Sequence, residues 1–225
     1  MQSAVTIYKR CQYPLHPRDV DWRVSQAGTD KNGKPWAIVV PYLDARAVRK
    51  RLNQIFGIAG WQSKMIRGEH DCICELTCRV EGEWITKSDA SGDTNVESEK
   101  GGASASLRRA AANWGIGEYL YFVPTTFANA QTEQPPKGET WIFQKGGKQG
   151  QSFYWQIPSL PARCIPDTAK PADREEVISL LNKVNYDVNA FADWLLGEFG
   201  VADFMDLECF LLDAVMAHIE EYGKR

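Results

Sequence analysis

The chain has 225 residues, 44% of them hydrophobic and 24% charged, enough apolar content for one good-sized domain and a small second one. Its net charge of −3 is uneven: residues 166 to 225 carry thirteen acidic against five basic residues, a balance of −8 that leaves +5 on residues 1 to 165. A basic body with an acidic tail suits a polyanion-binding domain with a separate interaction or autoregulatory segment, and no run is long and apolar enough for a leader or a bilayer span.

A cytoplasmic protein without a membrane partner is therefore expected, with its six cysteines as reduced thiols. From Cys11 to Val24 two prolines precede a short helix or extended segment that ends at Arg23, and SQAGTDKNGKPW then reads as an exposed loop. Trp36 to Val40 reads as a strand. Asp44 is placed to cap a helix over Ala45 to Phe56, with Gly57 beyond its end and Val48, Leu52, Ile55 and Phe56 as the buried stripe. Arg46, Arg49, Lys50 and Arg51 cover the rest of that helix. Such a face is either a phosphate contact or a solvated surface, and only Asp44 is near enough in sequence to offset it.

Trp61 to Gly68, Asp71 to Val80 and Glu83 to Ser88 read as successive strands, with Glu81 and Gly82 as a tight turn, so a curved antiparallel sheet is expected. His70, Cys72, Cys74 and Cys78 alternate along the second of these strands. At about 3.3 Å per residue the ends of that set lie roughly 26 Å apart, too extended for one tetrahedral zinc site. The carboxylates of SDASGDTNVESEK do not make a calcium loop, because its sixth and twelfth positions would be Thr94 and Lys100. Asp89, Asp93 and Glu97 leave a two-metal nuclease open as an alternative, beside the plainer reading of a turn and an acidic first helical turn.

The stretch VESEKGGASASLRRAAANWGIG, Val96 to Gly117, then reads as a helix. Ala103, Leu107, Ala110, Ala111 and Trp114 share its buried stripe, Gly115 ends it, and Arg108 and Arg109 stand off the stripe above Ala105 and Ala112. Two guanidinium groups over a floor of small residues are either a site for a closely approaching backbone or a solvated helix face.

Beyond Tyr121, Thr140 to Phe143 and Ser152 to Ile157 read as a hairpin whose Trp141, Phe143, Phe153, Trp155 and Ile157 alternate onto one face. Those rings either form core or, with Lys145 and Lys148, stack bases. Prolines at 158, 161, 166 and 171 mark a linker, and Arg174 to Val184, Ala190 to Phe199 and Phe204 to Tyr222 read as three helices. His218 falls on the apolar stripe of the last and reads as a packed histidine. The expected division is a core over 1–165, a linker over 166–171 and an acidic three-helix tail over 172–225.

Two blocks, VPYLDARAVRKRLNQIFGIAGWQ and SDASGDTNVESEKGGASASLRRAAANWGIGEYLY, resemble in order and spacing the Rad-fifty-two family of single-strand annealing proteins, closest to its phage and bacterial branch. The resemblance covers roughly residues 15 to 125. It implies an α+β fold with a strand-strand-strand-helix core, a ring of protomers, and single-stranded DNA held by its backbone in a basic groove. Arg23 stands where the family has a groove-facing basic residue, Tyr42 at an aromatic position, and Arg108 and Arg109 at the arginine pair. Arg46, Arg49, Lys87 and Lys100 are further candidate contacts. Two positions depart from the family pattern: Ala112 replaces a basic residue one turn after the pair, and the turn Glu81 to Glu83 is acidic where eukaryotic members carry a basic patch for a second strand.

No Gly-x-x-x-x-Gly-Lys-Ser/Thr sequence occurs, so no nucleotide cofactor or metal is expected and the reading is a non-enzymatic annealing protein that acts in homologous recombination and repair. The alternatives are the metal-dependent nuclease and an adaptor whose acidic tail binds a protein partner. The charge imbalance further predicts that removing 166–225 tightens single-strand binding at low salt.

Overall fold

The computed structural model describes residues 3–92, 98–136, 140–146, 151–168, 170–199 and 201–224, without the side chains of 98–101. The architecture is α+β, as expected: three antiparallel sheets of three strands and six α-helices among the described residues. A helix that sequence reasoning did not assign comes first, α1 (Ala4–Gln12), capped by the Ser3 hydroxyl and burying Ile7 and Cys11 one turn apart.

β1 (Val20–Thr29) and β2 (Pro35–Leu43) form a hairpin, with β6 (Thr126–Ala128) on the other side of β2. The loop expected at Ser25 to Trp36 is shorter than it looked. A bulge between Val24 and Gln26 lets β1 stay paired as far as Thr29. Only Asp30 to Lys34 turns, around the Asp30 carboxylate, which accepts the Asn32 and Lys34 amides at 2.8 Å each.

α2 (Ala45–Phe56) has the expected limits: the Asp44 carboxylate accepts the Ala47 amide at 2.7 Å, and Gly57 leaves at φ 73°. Val48, Leu52 and Ile55 are buried, but so is Arg51. β3 (Trp61–Arg67), β4 (Asp71–Val80) and β5 (Glu83–Gly92) form the second sheet, and β4 alternates Cys72, Cys74, Leu76, Cys78 and Val80 inward. Glu81 and Gly82 both have positive φ, the geometry that suits a two-residue hairpin turn. Burial pushes the Cys74 thiol up to about 11 and raises Cys78 further, so both stay protonated apolar fillers.

α3 (Ser98–Ala112) lies across the inner face of that sheet. Leu107, Ala110, Ala111 and Trp114 are buried there, together with Ser106, and the small residues allow the close approach. The Trp114 indole N–H donates to the Leu76 carbonyl at 3.3 Å, and its ring meets Phe56 edge-on at 5.9 Å, so α2, α3 and the sheet share one core.

β7 (Ala130–Gln131), β8 (Trp141–Gln144) and β9 (Phe153–Gln156) form the third sheet, and here the expected single aromatic face is wrong. Phe143 pairs with Tyr154 and Ile142 with Trp155, so Trp141 and Phe143 point away from the face that Phe153 and Trp155 bury against Ala37 and Val39. Parity across a hairpin follows from loop length, which alternation within each strand does not reveal.

α4 (Pro171–Lys183), α5 (Val188–Phe199) and α6 (Leu212–Tyr222) gather a second core of Val177, Leu181, Phe191, Leu195, Leu211, Val215 and Ile219. The His218 ring stacks on Trp194 at 3.7 Å and meets the Tyr186 hydroxyl at 3.1 Å. The expected helix over Phe204 to Tyr222 is broken: two short 3-10 turns precede α6. Between them Glu208 bridges Thr168, and the Cys209 amide donates to the Asp167 carbonyl. The Glu208 carboxylate faces Arg51 at 2.7 Å, with the two side chains 8% and 1% exposed. Phe210 receives the Arg51 guanidinium 4.7 Å above its ring and packs on Tyr13 at 5.0 Å. Tertiary contacts therefore override an uninterrupted helical period, and the acidic helices are docked on α1 and α2.

Candidate nucleic-acid interface

Strand pleating assigns β2 two faces. Ala37, Val39, Pro41 and Leu43 point into the core, while Trp36, Ile38, Val40 and Tyr42 are only half-buried on the other side. Directly paired residues share a face, so Asp21 lies beside Tyr42 and Arg23 beside Val40 on that outward surface. α3 delivers Arg108 to the same place: its Nη1 donates to the Leu43 carbonyl at 3.3 Å, its Nε to the Ser104 carbonyl at 3.2 Å, and its guanidinium carbon sits 5.3 Å from the Tyr42 ring centroid. Arg23, Tyr42 and Arg108 thus form one cluster. The Tyr42 hydroxyl is pushed up by burial first and then by Asp21, while Arg108 and Arg23 pull it back. Both of these acceptors are neutral carbonyls, so among the described residues no carboxylate is in hydrogen-bond contact with Arg108.

Arg109, about 100° further round the helix, goes elsewhere. Its Nε meets the Asp89 carboxylate of β5 at 3.0 Å, with the two side chains 51% and 25% exposed. Lys87 follows the same flank, donating to the Asn113 carbonyl at 2.7 Å, 4.8 Å from the Trp114 ring centroid. A cation on the last carbonyls of a helix is favoured by the helix dipole. Lys87 and Arg109 thus tie α3 to β5, and a phosphate at Arg109 must compete with Asp89.

The basic face of α2 also divides. Lys50 pairs with Asp19 at 3.0 Å and Arg51 with Glu208, two carboxylates that sequence proximity to the helix could not supply. Arg46 and Arg49 remain exposed, one turn apart, and among the described residues the ion-pair contact of Arg46 is a long one, 3.7 Å to Asp44. The side chain of Lys100 lies outside the described residues, as do Asp93 and Glu97. Among the described residues no group of three His, Cys, Asp or Glu side chains is placed to hold a metal ion.

Besides the Asp19 and Glu208 partners of α2, two features around the arginine pair and Tyr42 escaped the sequence. One is Asp89 as the partner of Arg109, which no short-range pattern signals. The other is Asp21 beside Tyr42, which strand parity around Arg23 signals once β1 is known to pair with β2.

The interface combines exposed cations, an aromatic ring and a half-buried apolar strand face, a surface suited to a polyanion that also carries planar groups. The model of the Rad52/22 family double-strand break repair proteins matches residues 4–139, which contain every candidate contact named above. Two proteins named single-stranded DNA-binding protein DdrA are similar to this chain. The one from Deinococcus radiodurans is 22% identical over 184 residues, covering 81% of this chain and 78% of its own. The one from Deinococcus deserti is 21% identical over 183 residues, covering 81% of each.

Proposed function

The chain belongs to the Rad52/22 family of double-strand break repair proteins, and from that premise we propose that it binds single-stranded DNA and anneals complementary strands without nucleotide or metal chemistry. The observation that carries this reading is the Arg23–Tyr42–Arg108 cluster on the outward face of β1 and β2, within the matched region. Cations on phosphates reduce the repulsion between two strands, base pairing supplies the selectivity, and no covalent step is needed. The similarity to proteins named for single-stranded DNA binding supports the same ligand.

Arg108 and Arg23 are the primary phosphate contacts in this proposal. Arg109 joins when a phosphate displaces Asp89, Arg46 and Arg49 extend the basic surface, and Lys87 and Lys100 complete the candidate set. DNA binding is assigned to residues 1–165. The acidic helices of 172–225, joined through 166–171, form an accessory module open to a protein partner. A ring of protomers that aligns these clusters into one groove, acting in the cytoplasm in recombination and repair, completes the proposal.

The test mixes labelled complementary strands with the full-length protein, without nucleotide, in the presence and absence of magnesium or manganese. Faster duplex formation from strands that stay full length is expected. Metal-dependent shortening of the strands would establish a nuclease instead, and absence of any binding would leave the adaptor reading.

A further inference from the structure

The outward face of β2 does not stop at the cation cluster. Six residues from Tyr42, about 20 Å along the strand at about 3.4 Å per residue, it reaches Trp36. The indole of Trp36 lies so close over Gly28 that a Cβ there would fall 2.7 Å from Cζ2. That contact packs the indole against β1. Beside it on β6 stands Phe127, 71% exposed, with its ring 6.4 Å from that of Trp36. Past Trp36 opens a cleft of about 580 Å³ whose lining includes Trp141, Lys34, Asn129 and Gln131. The Asn129 and Gln131 amide nitrogens each already donate once, to Gln156 Oε1 and to the Glu133 carbonyl, at 3.1 Å, which orients both amides and leaves each a carbonyl oxygen and a second N–H to offer. Asp30 also borders it, but its carboxylate is engaged with the turn amides.

Apolar rings on a solvent-facing wall, side-chain amides and a flanking cation are the groups that take up a nucleobase and its phosphate: stacking for the planar face, amides for the polar edge, ammonium for the backbone. We propose that this cleft receives a nucleobase of the bound single strand, whose path runs from Arg108 along the outward face of β2 to Trp36. The inference rests on the DNA-binding reading and deepens it. The cluster at Tyr42 holds backbone, the cleft holds a base, and the strand between them has room for about six stacked nucleotides or fewer extended ones.

The test compares the full-length protein on oligothymidine and on an abasic oligonucleotide of equal length and phosphate number. The wild type is expected to prefer the base-bearing strand by about tenfold, the worth of one stacked base. Trp141→Ala should remove most of that preference, leave abasic binding unchanged and keep the salt slope. Phe127→Ala, at a more exposed position, should remove a smaller part of it, which guards against a hairpin damaged by the first substitution. Trp84→Ala removes an exposed indole on β5, away from the cleft, and should change neither affinity. Equal wild-type affinity for the two strands, or an equal loss in Trp84→Ala and Trp141→Ala, overturns the cleft while the backbone reading stands. Binding to neither strand overturns both.

Discussion

Arg108 and Arg51 each hold a guanidinium over an aromatic ring, 5.3 Å from the Tyr42 centroid in one case and 4.7 Å from that of Phe210 in the other. Arg108 stands half-exposed beside an open strand face and uses its donors on neutral carbonyls. Arg51 is sealed between α2 and the acidic helices with Glu208 in contact, and its Nε and Nη1 have no hydrogen-bond partner among the described residues. The same ring contact therefore serves two ends. Where water and open space remain, the cation is available to a phosphate; where burial is complete, it must take an internal carboxylate and becomes a fastening.

The largest effect that separates the two should come from Glu208→Ala. Removing one partner of a buried pair leaves the other charge uncompensated, and about 3–5 kcal/mol of stability should be lost in urea unfolding. Replacing both, with Arg51→Met and Glu208→Leu, should recover most of it. A loss below about 1 kcal/mol in the single variant would mean that the pair is not a fastening. Deleting residues 166–225 is correspondingly a poor probe of tail electrostatics, because Glu208 leaves with the acidic surface.

A smaller and directional effect concerns pH. Burial raises the Glu208 pKa, with Arg51 opposing the shift. A carboxyl whose folded value lies above its unfolded one contributes stability fully below the ordinary carboxylate range and loses it as pH rises through the folded value. Wild type should therefore lose stability relative to Glu208→Gln as pH increases from 4 to 7. The opposite slope would show that attraction to Arg51 outweighs burial.

Asp89→Asn probes the other region. Its half-exposed pair with Arg109 is worth under about 1 kcal/mol, so thermal unfolding should barely move. Single-strand affinity should rise, because a competitor for the guanidinium has gone. Weaker binding would mean that Asp89 positions Arg109 for DNA.

Much of the half that carries the candidate interface was legible because its signals are local. Asp44 and Gly57 bound α2, alternating cysteines set the inward face of β4, and Leu107, Ala110, Ala111 and Trp114 set the buried side of α3. The docked tail was not legible. The helical period runs unbroken through Phe204 to Tyr222, and only the distant Arg51 and Asp167 explain why the chain turns at Glu208. The same limit hid the partners of the basic α2 face, since Asp19 and Glu208 reach it through the fold.

The central claim is that the arginines of α3 hold phosphate, and the salt dependence of single-strand binding tests it most directly. Each phosphate contact contributes about −0.7 to the slope of log affinity against log salt. Replacing Arg108 and Arg109 together by alanine should flatten that slope by about 1.4 per protomer engaged and weaken binding to all sequences alike. Arg46→Ala, whose side chain is almost fully solvated, should change it less. A double variant that keeps the wild-type slope and annealing rate would contradict the account and move the DNA site off α3.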